Sequence, residues 1–422
     1  IMSLSKYINL SSLGPGLIFA AVSVGLSHLV QSTRAGAMYG LALFFVVILT
    51  NLFKYPAFRF GSDYAGATGM SLLEGYRRQG RWALIFFAIT SCSASFFAVS
   101  AIALIAAGAL KGIFGLSINI TALASSVLLV TASILIIGRY RWLEGIAKAL
   151  VVVISITTVI AALLVTPDIR WGGDSLLSVR NLEISELLFI AALVGFMPSP
   201  LDAAVWQSLW TCAKARSAGH AFSKKEVGQD FVIGYVGCTI VALCFLVLGA
   251  GLMHSRGIPV ESRAGPFTAQ LIRLYTEVLG DWTFPMIAVG VFAVMYSSLL
   301  AGLDAVSRSV AVVVGRLKGP ESEAQDVTGN NAWYVGAMLT LVLGPLALQS
   351  IFRESLTQII DVAACVAFVS APVLAYLNHR CMQGSEIPEE FKPTKGLFRF
   401  STISILVLAS FAALYLYIRF LL

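Results

Sequence analysis

The chain has 422 residues, is 58 % hydrophobic and 12 % charged, and carries a net charge of +7 with a mean hydropathy of +0.85. That excludes an ordinary soluble domain, in which about a quarter of the residues are charged. The basic residues fall between apolar runs, which argues against a nucleic-acid surface, and the six cysteines (Cys92, Cys212, Cys238, Cys244, Cys365 and Cys381) show no CxxC spacing. They read as small core residues, not as disulfides or a zinc site.

In chain order, apolar runs fall near 12–36, 41–60, 83–110, 119–138, 143–166, 187–210, 230–253, 282–315, 332–352, 356–377 and 398–421. At about 20 residues per crossing this predicts an all-α integral membrane protein with about 11 transmembrane helices and one membrane domain over 1-422. The first run is long enough to be a span itself, and no cleavable signal peptide is read at the start. The run at 282–315 has length to spare for a tilt or a cytoplasmic extension. No cofactor motif is seen.

The first run is polar at its centre, from Ser23 through Gly25 and Ser27 to His28. Glycine and serine there weaken the helix and let the backbone approach a ligand. The sixth run is interrupted more firmly, by Phe196-Met-Pro-Ser-Pro-Leu-Asp202. Pro198 and Pro200 lack an N–H, so the carbonyls of Val194 and Phe196 lose their helical partners. Free carbonyls at mid-membrane depth are tolerated only where they line a cavity or are buried in protein. Two interrupted spans, five apart, are the pattern of two inverted five-helix repeats with a substrate site between them. The repeats would cover about 12-166 and about 187-377, with an extra helix at about 398-421.

Few other ionisable groups lie within the runs. Asp304 has Arg308 four residues on, the spacing of a helix-end ion pair. Asp361 falls toward the outer interface, close to Glu354. Ser155, Thr157 and Thr158 are expected to bond the backbone one turn back. Asp202 either caps the restarting helix or takes a substrate or proton role.

Lysines and arginines alternate in density between loops. One set holds Lys54, Arg59, Arg77, Arg78 and Arg81; Arg139 and Arg141; Lys214, Arg216, Lys224 and Lys225; Arg316 and Lys318; and Arg380, Lys392, Lys395 and Arg399. The opposite set is sparser: Lys111; Arg170 and Arg180; Arg256, Arg263 and Arg273; Arg353. The positive-inside rule then places the N-terminus in the cytoplasm and the C-terminus outside, in a bacterial inner membrane.

Gly14-Pro15-Gly16, followed at 35–40 by Ala-Gly-Ala-Met-Tyr-Gly, resembles the first span of the Nramp family of proton-coupled divalent-metal transporters. Tyr55-Pro-Ala-Phe-Arg59-Phe-Gly61, Thr68-Gly69 and Leu72-Leu73-Glu74 continue the likeness. Met197-Pro198 falls on the family's Met-Pro-His, and Ala367-Phe-Val-Ser-Ala-Pro372 on its proline-bearing tenth span. The resemblance covers most of the membrane domain and implies a LeuT-like inverted repeat (5+5) with helices 1 and 6 broken. It also shows departures. The family's Asp-Pro-Gly-Asn lands on Gly25-Leu26-Ser27-His28. Its helix-six histidines land on Ser199 and near Ala204, and a third-helix acidic residue lands near Ile102. Met197 and the Val194 carbonyl are kept.

A dehydrated divalent ion in low dielectric needs nearby negative charge, at a cost of order tens of kcal/mol without it. A thioether, a histidine and carbonyls suit a soft ion or a largely hydrated one such as Mg²⁺. Half-helix N-termini favour anionic groups. The expectation is a secondary transporter whose substrate is a small organic acid or amino acid; the alternative is divalent metal transport with altered selectivity. The candidate substrate site is Gly25, Ser27, His28, the Val194 carbonyl, Met197 and Ser199. His28, Asp202 and Asp304 are candidate proton or coupling groups, since histidine titrates near neutrality, and Met197 with His28 would be the ligands if a metal binds. The expected partners are that solute, the bilayer and a coupling proton or sodium ion. No nucleophile–base pair points to an enzyme, and no polar stripe along a helix points to a channel.

Overall fold

The structure is a computed structural model, and it describes residues 14–138, 141–169, 184–318, 331–351 and 355–421. Arg139, Arg170, Arg180, Arg353 and Glu354, used above to orient the chain or to place Asp361, lie outside the described residues. The described residues fold into helices and short turns. Eight of the helical stretches are long and apolar enough to cross a membrane unaided; with the three mixed ones described below they supply the eleven expected crossings.

Span one consists of α1 (Pro15–Ser23), a wide π-type stretch (Val24–Ser32) and α2 (Thr33–Tyr39). Pro15 opens α1 at a position where a missing N–H costs nothing. The N–H groups of Gly14 and Gly16 donate to the Asp230 carboxylate at 2.8 and 2.7 Å. Asp230 belongs to α10 (Lys224–Leu252), so the first helix is capped from the seventh span. A Cβ on Gly234 would lie 2.6 Å from the Gly16 carbonyl carbon, so the two backbones meet directly, as small residues allow in membranes.

Span two is α3 (Phe44–Thr68), which carries Lys54, Arg59 and Asp63 within its length. The short α4 (Leu72–Gln79) joins it to α5 (Arg81–Phe114). Spans four and five are α6 (Ile120–Ile137) and α7 (Arg141–Val165). Span six is split into α8 (Ile184–Phe196) and α9 (Ala203–Ala218). After α10 comes α11 (Ala264–Leu279), an extra helix where the sequence suggested only a loop. The long α12 (Phe284–Lys318), α13 (Ala332–Ile351), α14 (Leu356–Cys381) and α15 (Lys395–Leu421) complete the chain. The core runs between α5 and α12, which pack on each other more extensively than any other pair, and the two broken spans lie against them.

Charged groups tie the bundle at both ends. Toward the end of span one, Arg34 donates to Gln31 at 2.8 Å and to both oxygens of Asp361 at 2.7 and 3.1 Å, joining spans one and ten. At the opposite end Glu74 pairs with Arg77 at 2.6 Å and with Arg316 of α12 at 2.9 Å. Burial pushes the Glu74 carboxyl up, but the Arg77 hydrogen bond and the charges of Arg316, Arg77 and Arg78 outweigh it and hold it below its ordinary value. The hydroxyls of Ser155, Thr157 and Thr158 do bond carbonyls four residues back.

Candidate functional site

The break in span one is confined to Gly25, whose ψ of −107° is not helical. The sequence suggested a wider interruption, from Gly25 to His28. Instead the chain resumes at once as a π-type turn, a form common at functional sites. A Cβ on Gly25 would overlap the Ser298 hydroxyl and lie 2.9 Å from the Ser298 Cβ. Ser298, on α12, donates to the freed carbonyl of Val22 at 3.2 Å. Glycine is therefore required here by the approach of α12 as well as by the bend.

The break in span six runs from Met197 to Asp202, where the sequence placed it, and the Met197–Pro198 peptide is cis. Three carbonyls around this break find a partner inside the protein. Lys54 Nζ donates to the Val194 carbonyl at 2.6 Å, the Gly195 carbonyl at 2.8 Å and the Ser199 carbonyl at 3.4 Å. This corrects one expectation: Lys54 is a buried residue of α3, not part of a basic loop. The Val194 carbonyl, a candidate substrate contact, accepts from this ammonium.

Span one meets the break in span six beyond the bend at Gly25, through Ser32, whose hydroxyl donates to the Met197 thioether at 3.4 Å. His28 lies four residues before Ser32, close to one turn away along the π-type stretch. It is fully buried, and neither ring nitrogen completes a hydrogen bond, although the backbone of Cys238 approaches. Ser27 and Ser199 are buried on the two breaks.

Asp202 is the N-cap residue of α9, but its side chain makes no capping hydrogen bond. Its Oδ2 accepts from Ser91 of α5 at 2.6 Å, while Oδ1 is buried without a partner. Its charge and that of Lys54 interact. One turn into α9, both amide atoms of Gln207 are likewise buried and unpartnered. Asp304 stands elsewhere: it accepts from Arg308 at 3.1 Å and from Tyr334 at 2.8 Å. It sits six residues, or about 9 Å, along α12 from Ser298. The ion pair suggested by its spacing is the arrangement found. Among the described residues no three His, Cys, Asp or Glu side chains converge as a metal site.

Lys54 stands at the candidate site, where it was not expected from the sequence, though a signal was present. An ionisable side chain in the middle of the apolar run 41–60 is a functional candidate by default. Grouping it with Arg59 as loop charge hid it. Ser298 and Ser91 had no local signal, because their partners are hundreds of residues or whole helices away.

The family described as "Natural resistance-associated macrophage protein-like" matches residues 16–419. Protein PM0681 of Pasteurella multocida, described as uncharacterized, is 32% identical over 414 residues, covering 96% of this chain and 92% of that one. Among solved structures, the manganese transporter of Eremococcus coleocola, in complex with an aromatic bis-isothiourea substituted compound, superposes with a TM-score of 0.62 at 14% identity, over 98% of this chain and 87% of that one. MhsT in complex with L-phenylalanine gives a TM-score of 0.60, also at 14% identity, over 96% and 98% of the two chains. The fold is thus that of the LeuT-type transporters, with spans one and six broken.

Proposed function

The chain belongs to the Nramp family of membrane transporters, and from that premise we propose that it moves a small organic acid or amino acid, not a dehydrated transition-metal ion. The observation that carries this reading is the packing at Gly25. The position where the family resemblance puts a metal-binding carboxylate has no side chain, and Ser298 fills the space one would need. Met197, the retained soft ligand, is engaged by Ser32. What remains unengaged around the breaks is hydrogen-bonding capacity without a fixed negative cage: the two nitrogens of His28, Asp202 Oδ1 and the Gln207 amide. Buried polar groups without partners cost about 1–3 kcal/mol each, and a polar solute that bonds them recovers that cost on binding. His28 and Asp202 are the groups able to carry a coupling proton.

The scaffold itself does not decide the substrate, since solved proteins of this shape include a manganese transporter and one holding L-phenylalanine. In this reading alternating access rocks the bundle containing spans one and six, with the N-terminus cytoplasmic. The two repeats, the first about 12-166 and the second about 187-377, would move against each other around the breaks.

A melting screen of the purified protein against amino acids, small carboxylates, Mn²⁺, Fe²⁺ and Mg²⁺ tests it. A ligand at 100 times its Kd stabilises by about 2.7 kcal/mol. The expected result is a rise with an organic solute and none with Mn²⁺ or Fe²⁺. Saturable Mn²⁺ uptake into proteoliposomes would overturn the reading, and a rise with Mg²⁺ alone would favour altered metal selectivity instead.

A further inference from the structure

Lys54 lies ten residues into α3, about 15 Å along its axis, which is close to half the hydrocarbon thickness of a bilayer. It is fully buried there. Its three N–H groups are directed at three backbone carbonyls, those of Val194, Gly195 and Ser199, at 2.6, 2.8 and 3.4 Å. These oxygens are available only because α8 stops at Phe196 and prolines follow. A cluster of freed carbonyls with a buried carboxylate nearby, here Asp202, is what a protein offers to a bare cation. We propose that the Lys54 ammonium is a built-in cation seated in the ion position of broken helix six, so that this transporter binds neither an alkali ion nor a metal there.

The chemistry is consistent at each contact. An ammonium is a compact point charge with three donors and suits a trio of carbonyls, where a planar guanidinium would not. Those carbonyls and the opposite charge of Asp202, with which the ammonium interacts, reduce the cost of burying it. Asp202 in turn is held by Ser91. A second cation on the Val194 carbonyl would sit about 4 Å from Nζ, and the repulsion lowers affinity about a thousandfold for a monovalent ion and about a millionfold for a divalent one. Lys54 therefore sets specificity at the same site as the reading above, and in that one respect the inference rests on it: helix six must line the transport site.

The experiment compares melting of the purified wild type and Lys54→Ala in choline, sodium, potassium and methylammonium chloride at equal ionic strength, with Mn²⁺ as a further arm. No transported substrate is present, so a failure here leaves the substrate reading untouched, and a failed substrate screen leaves this result standing. The wild type is expected to melt at the same temperature in every salt. Lys54→Ala is expected to melt lower in choline and to regain at least half of the loss with methylammonium, potassium or sodium. Lys54→Met, of similar length and no charge, is the second variant and is expected to melt below the wild type. The proposal is overturned if sodium, potassium or Mn²⁺ raises the wild-type melting temperature, if Lys54→Met melts with the wild type, or if Lys54→Ala ignores every cation. Should neither variant fold, the wild-type salt series decides alone.

Discussion

The two broken spans solve the same problem with different partners. Each loses helical hydrogen bonds near the middle of a membrane, where an unpaired carbonyl is expensive. At Gly25 the loss is small, one residue of non-helical backbone, and a neutral hydroxyl, Ser298, meets the freed Val22 carbonyl. At Met197–Asp202 the loss is larger, six residues and two prolines, and a full positive charge, Lys54, meets the carbonyls. The small break leaves an uncommitted histidine beside it, and the large one has three of its carbonyls committed to Lys54. A broken helix is therefore not by itself an ion site; what sits against it decides.

The comparison is sharpest where a charge is put back. Gly25→Asp restores the carboxylate that the family resemblance implies. Here it is expected to destabilise by about 3–5 kcal/mol, because the side chain overpacks against Ser298 and buries an unpaired charge. The double variant Gly25→Asp with Ser298→Gly relieves the overlap and is expected to recover part of that loss. Melting of both variants, with and without Mn²⁺, checks this. If Gly25→Asp alone folds as well as the wild type and gains Mn²⁺ binding, the space at break one is not filled as described.

A smaller effect is expected from Ser298→Ala. It removes one neutral hydrogen bond of 3.2 Å to Val22, worth about 1 kcal/mol. At roughly 2 °C per kcal/mol, the value for long chains, the melting temperature should fall by about 2 °C. Its fall should not depend on the salt present, in contrast to the Lys54 variants. A loss as large as that of Lys54→Ala would erase the distinction between a neutral and a charged partner.

Much of this arrangement could be read from residues alone, and the reasons for the rest are physical. Spans announce themselves through unbroken hydropathy, so the crossings and the long α12 were expected from composition. Pro198 and Pro200 act locally, through the missing N–H, so break six was placed within a residue. Gly25 also acts locally, but a lone glycine does not say how far a helix is disturbed, and the π-type recovery to Ser32 was not foreseen. The partners were out of reach altogether. Lys54 and Val194 are 140 residues apart, Arg34 and Asp361 are 327 apart, and only the packed bundle brings them together. Asp202 shows the same limit: its neighbours left open a cap or a substrate or proton role, and the serine that donates to its carboxylate lies 111 residues away.

The smallest cost to the fold is expected at His28, with the largest loss of transport. A structural histidine buried in a bundle is held by hydrogen bonds, and removing it strands their partners at about 1–3 kcal/mol each. His28 has no completed bond to strand. His28→Ala should therefore lower the melting temperature by no more than a degree or two, while a cavity term offsets the relief of an unsatisfied polar group. His28 lies on the stretch of span one between the bend at Gly25 and Ser32, which touches Met197 of break six, and this makes it the candidate for contact with a solute there. An imidazole there offers a polar solute one ring nitrogen as donor and one as acceptor. Uptake of the organic solute found in the screen is expected to fall to background in His28→Ala, and binding to weaken by at least tenfold. His28→Gln, which keeps a donor and an acceptor but cannot titrate, separates the two roles. Binding retained with uptake lost assigns His28 to proton coupling, and both lost assigns it to the solute. Uptake at the wild-type rate in His28→Ala would remove it from the site and leave the unpartnered amide of Gln207 as the next group to test.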